Sequence, residues 1–278
     1  MYKLILHGKE FSDLELGEIE TAFDSQLHKT KSAYQINLTS NLDSYQIQQW
    51  RDSLNCDVNI LPVNFDSHQV RLVISDMDST FINIECVDEI ADYAGVKEKV
   101  SQVTEAAMRG ELNFEESLKE RVSLLKGLDE SALQKVYDDR LKLNPGAEQM
   151  LDVLKANEIK FALVSGGFTF FTSRLKEKYS LDYALSNTLE VKNGQLTGKV
   201  LGNIVGAEAK ASFLLEKCKE LDITPQQVVA IGDGANDLKM MAESGLGIAY
   251  KAKPKVQADA DCAINVSGLD GLLGLLDL

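Results

Sequence analysis

The spacing of hydrophobic and polar positions predicts two parts of different character. In the first part it predicts a small βαβαβ unit, with strands at 2–7, 33–38 and 57–63 and helices at 14–23 and 43–54. In the second part, short apolar runs rich in β-branched residues predict buried strands at 72–74, 161–164, 228–231, 246–248 and 262–265. Helical spacing predicts elements between and after those strands, at 168–178 and 208–221 and from about 268. The pair Asn193-Gly194 predicts a β-hairpin within 187–200.

These elements predict an α/β fold in which a parallel sheet is sandwiched by helices, preceded by a small N-terminal α+β domain. The polar stretch 64–69 marks a boundary, so we expect one domain at 1–68 and a second at 69–278. Apolar spacings of three and four within 86–140 predict a helical insert after the first strand of the second domain. Beyond the insert, Asn144-Pro145-Gly146 predicts a helix start with Asn144 as its N-cap.

Two aspartates follow the strand at 72–74. Because ligands bind at the carboxyl ends of strands in open α/β sheets, Asp76 and Asp78 are expected to face a crevice. At ~4 Å and an effective dielectric constant of ~20, two carboxylates repel by roughly 4 kcal/mol, so the pair calls for a cation or a shared proton. Mg²⁺ prefers such hard oxygen ligands. A turn in which aspartates accept backbone N–H groups has the same pattern, and this motif alone leaves both interpretations open.

Acidic residues also follow the strand at 228–231. Asp233 comes at its end, and Asn236 and Asp237 come in the first turn of the next helix. The carboxyl ends of parallel strands meet at one edge of a sheet, so these residues would join the first aspartate pair there. Four carboxylates at one edge favour a divalent metal site over a structural accident.

Two further features suit an anion. Ser165-Gly166-Gly167 ends the strand at 161–164, where backbone N–H groups and a hydroxyl can bind phosphate oxygens. Lys210 lies near a helix start, where the helix dipole disfavours a cation unless an anion offsets it. Taken alone, the first feature is more typical of a tight turn and the second of a solvated lysine.

The helical insert and its entry supply four more candidates for the crevice: Glu85, Met108, Phe114 and Arg121. Each has a structural alternative, because most helical Glu and Arg are solvated and most Met and Phe at helical spacing belong to the core. The first seventy residues contain no comparable motif. We expect them to serve regulation or assembly, for example as the contact of a homodimer.

Composition narrows the classes of function. The 278 residues are 44% hydrophobic, enough for a well-buried core, and the formal charge of −14 argues against nucleic acid or an anionic membrane as the main partner. No apolar run reaches the ~18 residues of a membrane span, and no signal peptide is evident. The four cysteines are scattered without metal-binding spacing, as in a reducing cytosol, so a cytoplasmic location is expected.

Taken together, the motifs resemble those of the haloacid dehalogenase superfamily. They are Asp76-Met-Asp78-Ser-Thr, Ser165-Gly-Gly, Lys210 and Gly232-Asp-Gly-Ala-Asn-Asp237, in this order. The resemblance runs from about residue 71 to the C-terminus and implies a Rossmann-like sheet with residues 86–140 as a helical cap. Some relatives carry ACT-type regulatory modules before this region, which have two strands between their helices, whereas this sequence predicts one.

The resemblance implies a role for each motif. Asp76 would attack phosphorus and form an aspartyl-phosphate, and Asp78 would act as general acid and then general base. Mg²⁺ would be held by the side chains of Asp76 and Asp233 and by the backbone carbonyl of Asp78. The remaining groups would bind the phosphate or support the metal's water shell: Ser165, the Gly166 N–H, Lys210 and Asn236 for the phosphate, and Asp237 for the water shell.

Within the superfamily, three stretches resemble the phosphoserine phosphatase family: Asp76-Met-Asp-Ser-Thr followed by Glu85, Arg121 in Lys-Glu-Arg-Val-Ser-Leu-Leu, and Val164-Ser-Gly-Gly-Phe. That likeness implies that Glu85 binds the substrate's ammonium and Arg121 its carboxylate, with Met108 and Phe114 as pocket walls. The expected reaction is Mg²⁺-dependent hydrolysis of O-phospho-L-serine, the last step of serine biosynthesis. Transfer of the phosphoryl group to another alcohol such as homoserine, or hydrolysis of another small phosphomonoester, stays open. The cap and hairpin argue against a signalling receiver domain.

Overall fold

The computed structural model describes residues 2–109 and 111–278, without the side chain of Met108. Within these residues the strands are β1 (Tyr2–His7), β2 (Leu27–Lys29), β3 (Tyr34–Leu38), β4 (Asp57–Leu61), β5 (Leu72–Ser75), β6 (Lys160–Phe168), β7 (Tyr183–Lys192), β8 (Gln195–Leu201), β9 (Val228–Gly232), β10 (Leu246–Tyr250) and β11 (Cys262–Ile264). The α-helices are α1 (Asp13–Phe23), α2 (Ser44–Leu54), α3 (Cys86–Tyr93), α4 (Lys97–Met108), α5 (Phe114–Ser123), α6 (Ser131–Asp139), α7 (Ala147–Ala156), α8 (Thr169–Tyr179), α9 (Ala207–Glu220), α10 (Leu238–Glu243), α11 (Pro254–Asp259) and α12 (Gly271–Leu276). Among these, no helix is both long and apolar enough to cross a membrane.

The larger sheet has seven strands in the order β11-β10-β9-β5-β6-β7-β8. All neighbours are parallel except β8, which returns antiparallel to β7 as the second strand of the predicted hairpin. The central strand β5 is buried along its whole length. Its run of apolar residues is typical of a strand that is covered by helices on both faces. This confirms the predicted α/β fold with a parallel sheet between helices.

The N-terminal sheet corrects one prediction. It has four antiparallel strands in the order β2-β3-β1-β4, so two strands, and not one, lie between helices α1 and α2. The missed strand, β2, has three residues with two of them exposed, and its sequence Leu-His-Lys has no apolar alternation. It is a strand only because it pairs with β3 at the sheet edge. The resulting topology is βαββαβ, with the same number of strands between the helices as in ACT-type modules.

The N-terminal sheet is attached to the larger sheet by buried polar side chains. The side-chain amide of Asn59 donates to the carbonyl of Ala263 at 2.9 Å and accepts from its N–H at 2.8 Å. The buried carboxylate of Asp57 accepts hydrogen bonds from the backbone N–H groups of residues 265–267 at 2.7–3.2 Å. These bonds join β4 to the chain at and after β11. The predicted boundary between residues 68 and 69 falls inside the short 3-10 helix Ser67–Gln69 and stays a prediction.

The predicted insert forms helices α3 to α6 between β5 and α7. Backbone hydrogen bonds attach the connection between α5 and α6 to the hairpin: the N–H of Gly127 donates to Leu196, the N–H of Leu196 donates to Leu128, and the N–H of Glu130 donates to Gly194, at 2.8–2.9 Å. The hairpin therefore fixes the end of α5 relative to the sheet.

The helix start predicted at Asn144 is wrong. Helix α7 begins at Ala147, and its N-cap is Gly146 with φ 78°, a left-handed conformation that favours glycine. The side chain of Asn144 instead donates to the carbonyls of Thr80 and Ile82 at 2.7 and 3.0 Å. Its partners lie more than sixty residues away in sequence, so local helix-capping rules could not identify them.

Candidate active site

Three neighbouring strands of the larger sheet direct polar groups to one pocket. Asp76 follows β5, Asp233 follows β9, and Ser165 to Gly167 form an irregular segment within β6 where the register with β7 shifts. The cap covers this edge and leaves a cavity of about 190 Å³. The cavity is lined by Asp76, Asp78, Glu85, Val87, Phe114, Leu118, Arg121, Gly166, Gly167, Phe168, Asp233, Gly234 and Asn236.

Carboxylates gather at the sheet side of the pocket. Oxygens of Asp76, Asp233 and Asp237 all lie within 4.8 Å of one another. Burial raises the pKa of Asp76 well above its usual value, against the lowering effect of Lys210, and burial together with Asp237 raises the pKa of Asp233 to about 6. Raised carboxylate pKa values mean that burial, with the neighbouring carboxylates, disfavours the ionised form, and a bound cation would stabilise that form. Hard oxygen donors in this arrangement fit a metal ion.

Lys210 is fully buried beside this cluster. Its Nζ lies 2.6 Å from Asp76 Oδ1 and 2.6 Å from Asp237 Oδ1. Burial alone would lower the pKa of Lys210, but the two carboxylates outweigh it and hold the pKa above its usual value. The lysine is therefore a fixed ammonium, and the solvated alternative is excluded. Its position on the first turns of α9 suits a buried ion pair that offsets the helix dipole.

Asp78 is held by two hydrogen bonds from different elements. Its Oδ1 accepts from the Cys86 N–H at 2.8 Å, and its Oδ2 accepts from the Ser165 hydroxyl at 3.1 Å. Burial raises the pKa of Asp78, partly offset by these donors. A carboxyl group that retains its proton more readily than usual, in a fixed orientation, can donate that proton to a leaving group.

The turn after Asp78 positions the neighbouring acids. Ser79 has φ 57°, an uncommon left-handed conformation for serine, and its hydroxyl donates to Glu85 Oε1 at 2.6 Å. The hydroxyl of Thr80 donates to Asp233 Oδ1 at 3.2 Å. The side chain of Asn144 holds the carbonyls of this turn, as described above. Sequence reasoning missed these three supporting residues, because serine, threonine and asparagine near a turn are most often explained by local backbone bonds.

Glu85 and Arg121 lie at the cap side of the same pocket. The side chain of Glu85 is exposed to solvent, but nearby protein atoms remove part of its hydration. This desolvation, together with the charge of Asp78, raises the pKa of Glu85 to about 8. The Nε of Arg121 donates to the carbonyl of Ser117 at 3.4 Å. One acidic and one guanidinium side chain therefore line the same cavity as Asp76 and Asp78.

Phe114 rests on two glycines that belong to different loops. A Cβ on Gly166 would lie 2.7 Å from Phe114 Cζ, and one on Gly206 would lie 3.3 Å from Phe114 Cδ1. The absence of a side chain at both positions lets the cap approach these two segments closely. Phe114 is thus a pocket wall. The side chain of Met108, the other predicted wall, lies outside the described residues.

The structure brings the remaining predicted residues to the same region. Ser165 is buried against Asp78, and Gly166 and Asn236 line the cavity. Asp237, expected only to support a metal's water shell, lies inside the acidic cluster and also accepts from the Gly234 N–H at 3.1 Å. Val87 and Leu118 add apolar lining that the sequence did not single out.

Comparisons with known proteins agree with this site. Residues 70–245 match the family model of the haloacid dehalogenase-like hydrolases. A phosphoserine phosphatase from a Polaromonas species is 50% identical over 224 residues, which are 79% of this chain and 95% of that protein. The unliganded crystal structure of a probable phosphoserine phosphatase from Vibrio cholerae has a TM-score of 0.84 at 40% identity, covering 99% of this chain and 86% of that one.

A substrate-bound phosphoserine phosphatase structure has a TM-score of 0.70 at 43% identity, covering 74% of this chain and 98% of that one. The family match, over residues 70–245, includes all the residues that line the cavity and those of the acidic cluster. The chain belongs to the haloacid dehalogenase-like hydrolases and, among them, to the phosphoserine phosphatase family.

Proposed function

We propose that this protein is a Mg²⁺-dependent phosphatase that hydrolyses O-phospho-L-serine to L-serine and phosphate. The observation that carries the proposal is the pairing of Glu85 and Arg121 with Asp76 and Asp78 around one small cavity. A phosphorylated amino acid presents an ammonium, a carboxylate and a phosphate, and this cavity offers a complementary group for each.

The acidic cluster supports the choice of metal. Asp76 and Asp233 would hold Mg²⁺ with their side chains and Asp78 with its backbone carbonyl, while Asp237 would support the ion's water shell. When bound, Mg²⁺ neutralises phosphate charge, so that an anionic carboxylate can approach an anionic substrate.

In the first step, a carboxylate oxygen of Asp76 forms a bond to phosphorus and the bond from phosphorus to the serine oxygen breaks. Asp78 donates its proton to that oxygen, and L-serine leaves. The raised pKa of Asp78 suits this role, because the acid must hold a proton until the bond breaks. Lys210, 2.6 Å from the nucleophile's Oδ1, supplies a fixed positive charge.

In the second step, water attacks the phosphorus of the aspartyl-phosphate. The carboxylate of Asp78 takes a proton from that water, the bond between Asp76 and phosphorus breaks, and phosphate leaves. Ser165 and the Gly166 N–H would carry phosphate oxygens in both steps. The cap would exclude bulk water while Arg121 and Glu85 hold the amino-acid end.

The test is phosphate release from O-phospho-L-serine with Mg²⁺ and with EDTA. Phosphothreonine and an aryl phosphate serve as comparison substrates. Asp76→Asn should abolish turnover of every substrate. Arg121→Ala should lower kcat/KM for phosphoserine about 100-fold, because a charged hydrogen-bonded partner is lost, and leave the aryl phosphate nearly unchanged. Arg109→Ala, which removes an exposed cap arginine paired with Glu111, is the matched control.

Each other outcome points elsewhere. Cleavage of aryl phosphate without phosphoserine would keep the chemistry and reject the substrate. Formation of a new phosphoester when homoserine is supplied would identify a phosphotransferase. The cytoplasmic location and the homodimer stay predictions; the four cysteines are buried free thiols, as a reducing compartment favours.

A further inference from the structure

Asn187 connects two loops that carry the proposed phosphate ligands. It lies on β7 opposite Phe168, next to the register shift that releases Ser165 to Gly167 from the sheet ladder. Its Nδ2 donates to the carbonyl of Gly166 at 2.7 Å, and its Oδ1 accepts from the N–H of Val205 at 2.8 Å. The residue is 1% exposed, so water cannot replace either bond.

The chemistry of these partners requires an amide at position 187. A backbone carbonyl only accepts and a backbone N–H only donates, so one short side chain must donate at one end and accept at the other. Aspartate would accept from Val205 but would oppose its second oxygen to the Gly166 carbonyl. Leucine has nearly the same shape and can form neither bond.

Each of the two loops carries or leads to a group proposed above to bind phosphate. One contains Gly166, which lines the cavity, and the other leads through Gly206 directly into α9 with Lys210. The loops also touch: the Val205 carbonyl lies 3.6 Å from where a Gly166 Cβ would be. Phe114 of the cap packs on both. A shift of either loop would therefore change the distance between the Gly166 N–H and the Lys210 ammonium.

We propose that Asn187 is a positioning residue for phosphate binding, which sets the spacing between the Gly166 N–H and the Lys210 ammonium. The inference rests on the proposed phosphatase activity. It predicts that replacing Asn187 lowers kcat/KM equally for every phosphomonoester. The reason is that Asn187 acts through groups that bind phosphate and not through the cap residues that bind the amino acid.

The experiment compares Asn187→Asp and Asn187→Leu with Thr172→Val in the full chain with Mg²⁺. Thr172 of α8 is a matched control, because its buried hydroxyl forms a hydrogen bond of 2.7 Å with the hydroxyl of Ser186, the residue before Asn187 on β7. We expect both Asn187 variants to lower kcat/KM about 100-fold, the typical effect of misplacing a catalytic group by an ångström, on phosphoserine and aryl phosphate alike. Thr172→Val should lower Tm and change kcat/KM by no more than about twofold.

A second readout does not depend on turnover. Inorganic phosphate with Mg²⁺ should raise the Tm of the wild type and of Thr172→Val, and raise that of the Asn187 variants much less. If Asn187→Leu does not fold, Asn187→Asp, which keeps the bond from Val205, carries the test. Asn187 variants that lose Tm but keep kcat/KM and the phosphate-induced Tm shift would show a purely structural role. A loss confined to phosphoserine would also overturn the proposal.

The two proposals fail in different ways. If the wild type cleaves no phosphomonoester, the proposed function is wrong whatever Asn187 does. If the wild type is active and the Asn187 variants match Thr172→Val in both readouts, only this inference is wrong.

Discussion

Replacing Lys210 with methionine tests the electrostatic account of the site. Methionine keeps an unbranched chain of similar length and removes the ammonium that contacts Asp76 and Asp237. At 2.6 Å and an effective dielectric constant of about 20, each contact is an attraction of about 6 kcal/mol before desolvation is subtracted. Desolvation cancels much of this, and removing one partner of a buried pair typically costs about 3–5 kcal/mol.

The pH dependence identifies the cause of that loss. Lys210 lowers the pKa values of Asp76, Asp78 and Asp233, so without it these pKa values rise further above those of the unfolded chain. The folded metal-free variant then binds more protons than the unfolded chain, so its free energy of unfolding falls as pH rises. We expect a loss of about 3–5 kcal/mol at pH 8 that shrinks to about 1 kcal/mol at pH 5, and a larger recovery with Mg²⁺ than the wild type shows.

The assay is urea unfolding of metal-free and Mg²⁺-loaded protein at both pH values. Lys239→Met is the matched control, since it removes an exposed lysine paired with Glu208 and should cost less than about 1 kcal/mol. A loss in Lys210→Met that is the same at pH 5 and pH 8 would refute the reasoning, because a cavity or packing defect has no such pH dependence. A loss no larger than that of Lys239→Met would refute it too.

Three further predictions follow from individual contacts. Gly166→Ala would place a methyl group 2.7 Å from Phe114 Cζ, so we expect about a tenfold fall in kcat/KM, partly restored by adding Phe114→Leu, in steady-state kinetics. Because the pKa of Asp233 is raised to about 6, Mg²⁺ must displace a proton below that pH; calorimetry should show weaker Mg²⁺ binding as pH falls from 7 to 5, and pH-independent affinity would contradict this. Asp57→Ala removes the acceptor of buried N–H groups between the sheets and should cost about 3 kcal/mol in urea unfolding, whereas Asp52→Ala, at an exposed carboxylate, should cost almost nothing.

Much of the candidate site was predictable because its acidic residues follow strand ends. Asp76 and Asp233 come directly after apolar strands, and parallel strands in one sheet bring their carboxyl ends to the same edge. Neither the position of these residues after their strands nor the meeting of the strand ends at one edge depends on the exact register between the strands. The short strand β2 escaped prediction because it has no apolar alternation and exists only through pairing with β3.

Long-range hydrogen bonds were not predictable in the same way. Asn144, Asn187 and Asn59 are short polar residues whose local sequences suggest caps, turns or strand surfaces, yet each binds backbone groups of a distant segment. Lys210 could equally have been solvated from its sequence context. Its burial between two carboxylates depends on where α9 packs beside the strand ends.

The sequence by itself determined the order of strands and helices apart from β2, the cap as an insert, and the acidic residues at the strand ends, because hydrophobic periodicity and motif spacing are local properties. Only the tertiary structure decided which acids share a metal-sized cluster, which polar side chains hold the loops, and how the N-terminal sheet is attached. Those choices depend on strand register and packing between residues far apart in the chain, and short-range patterns carry no record of either.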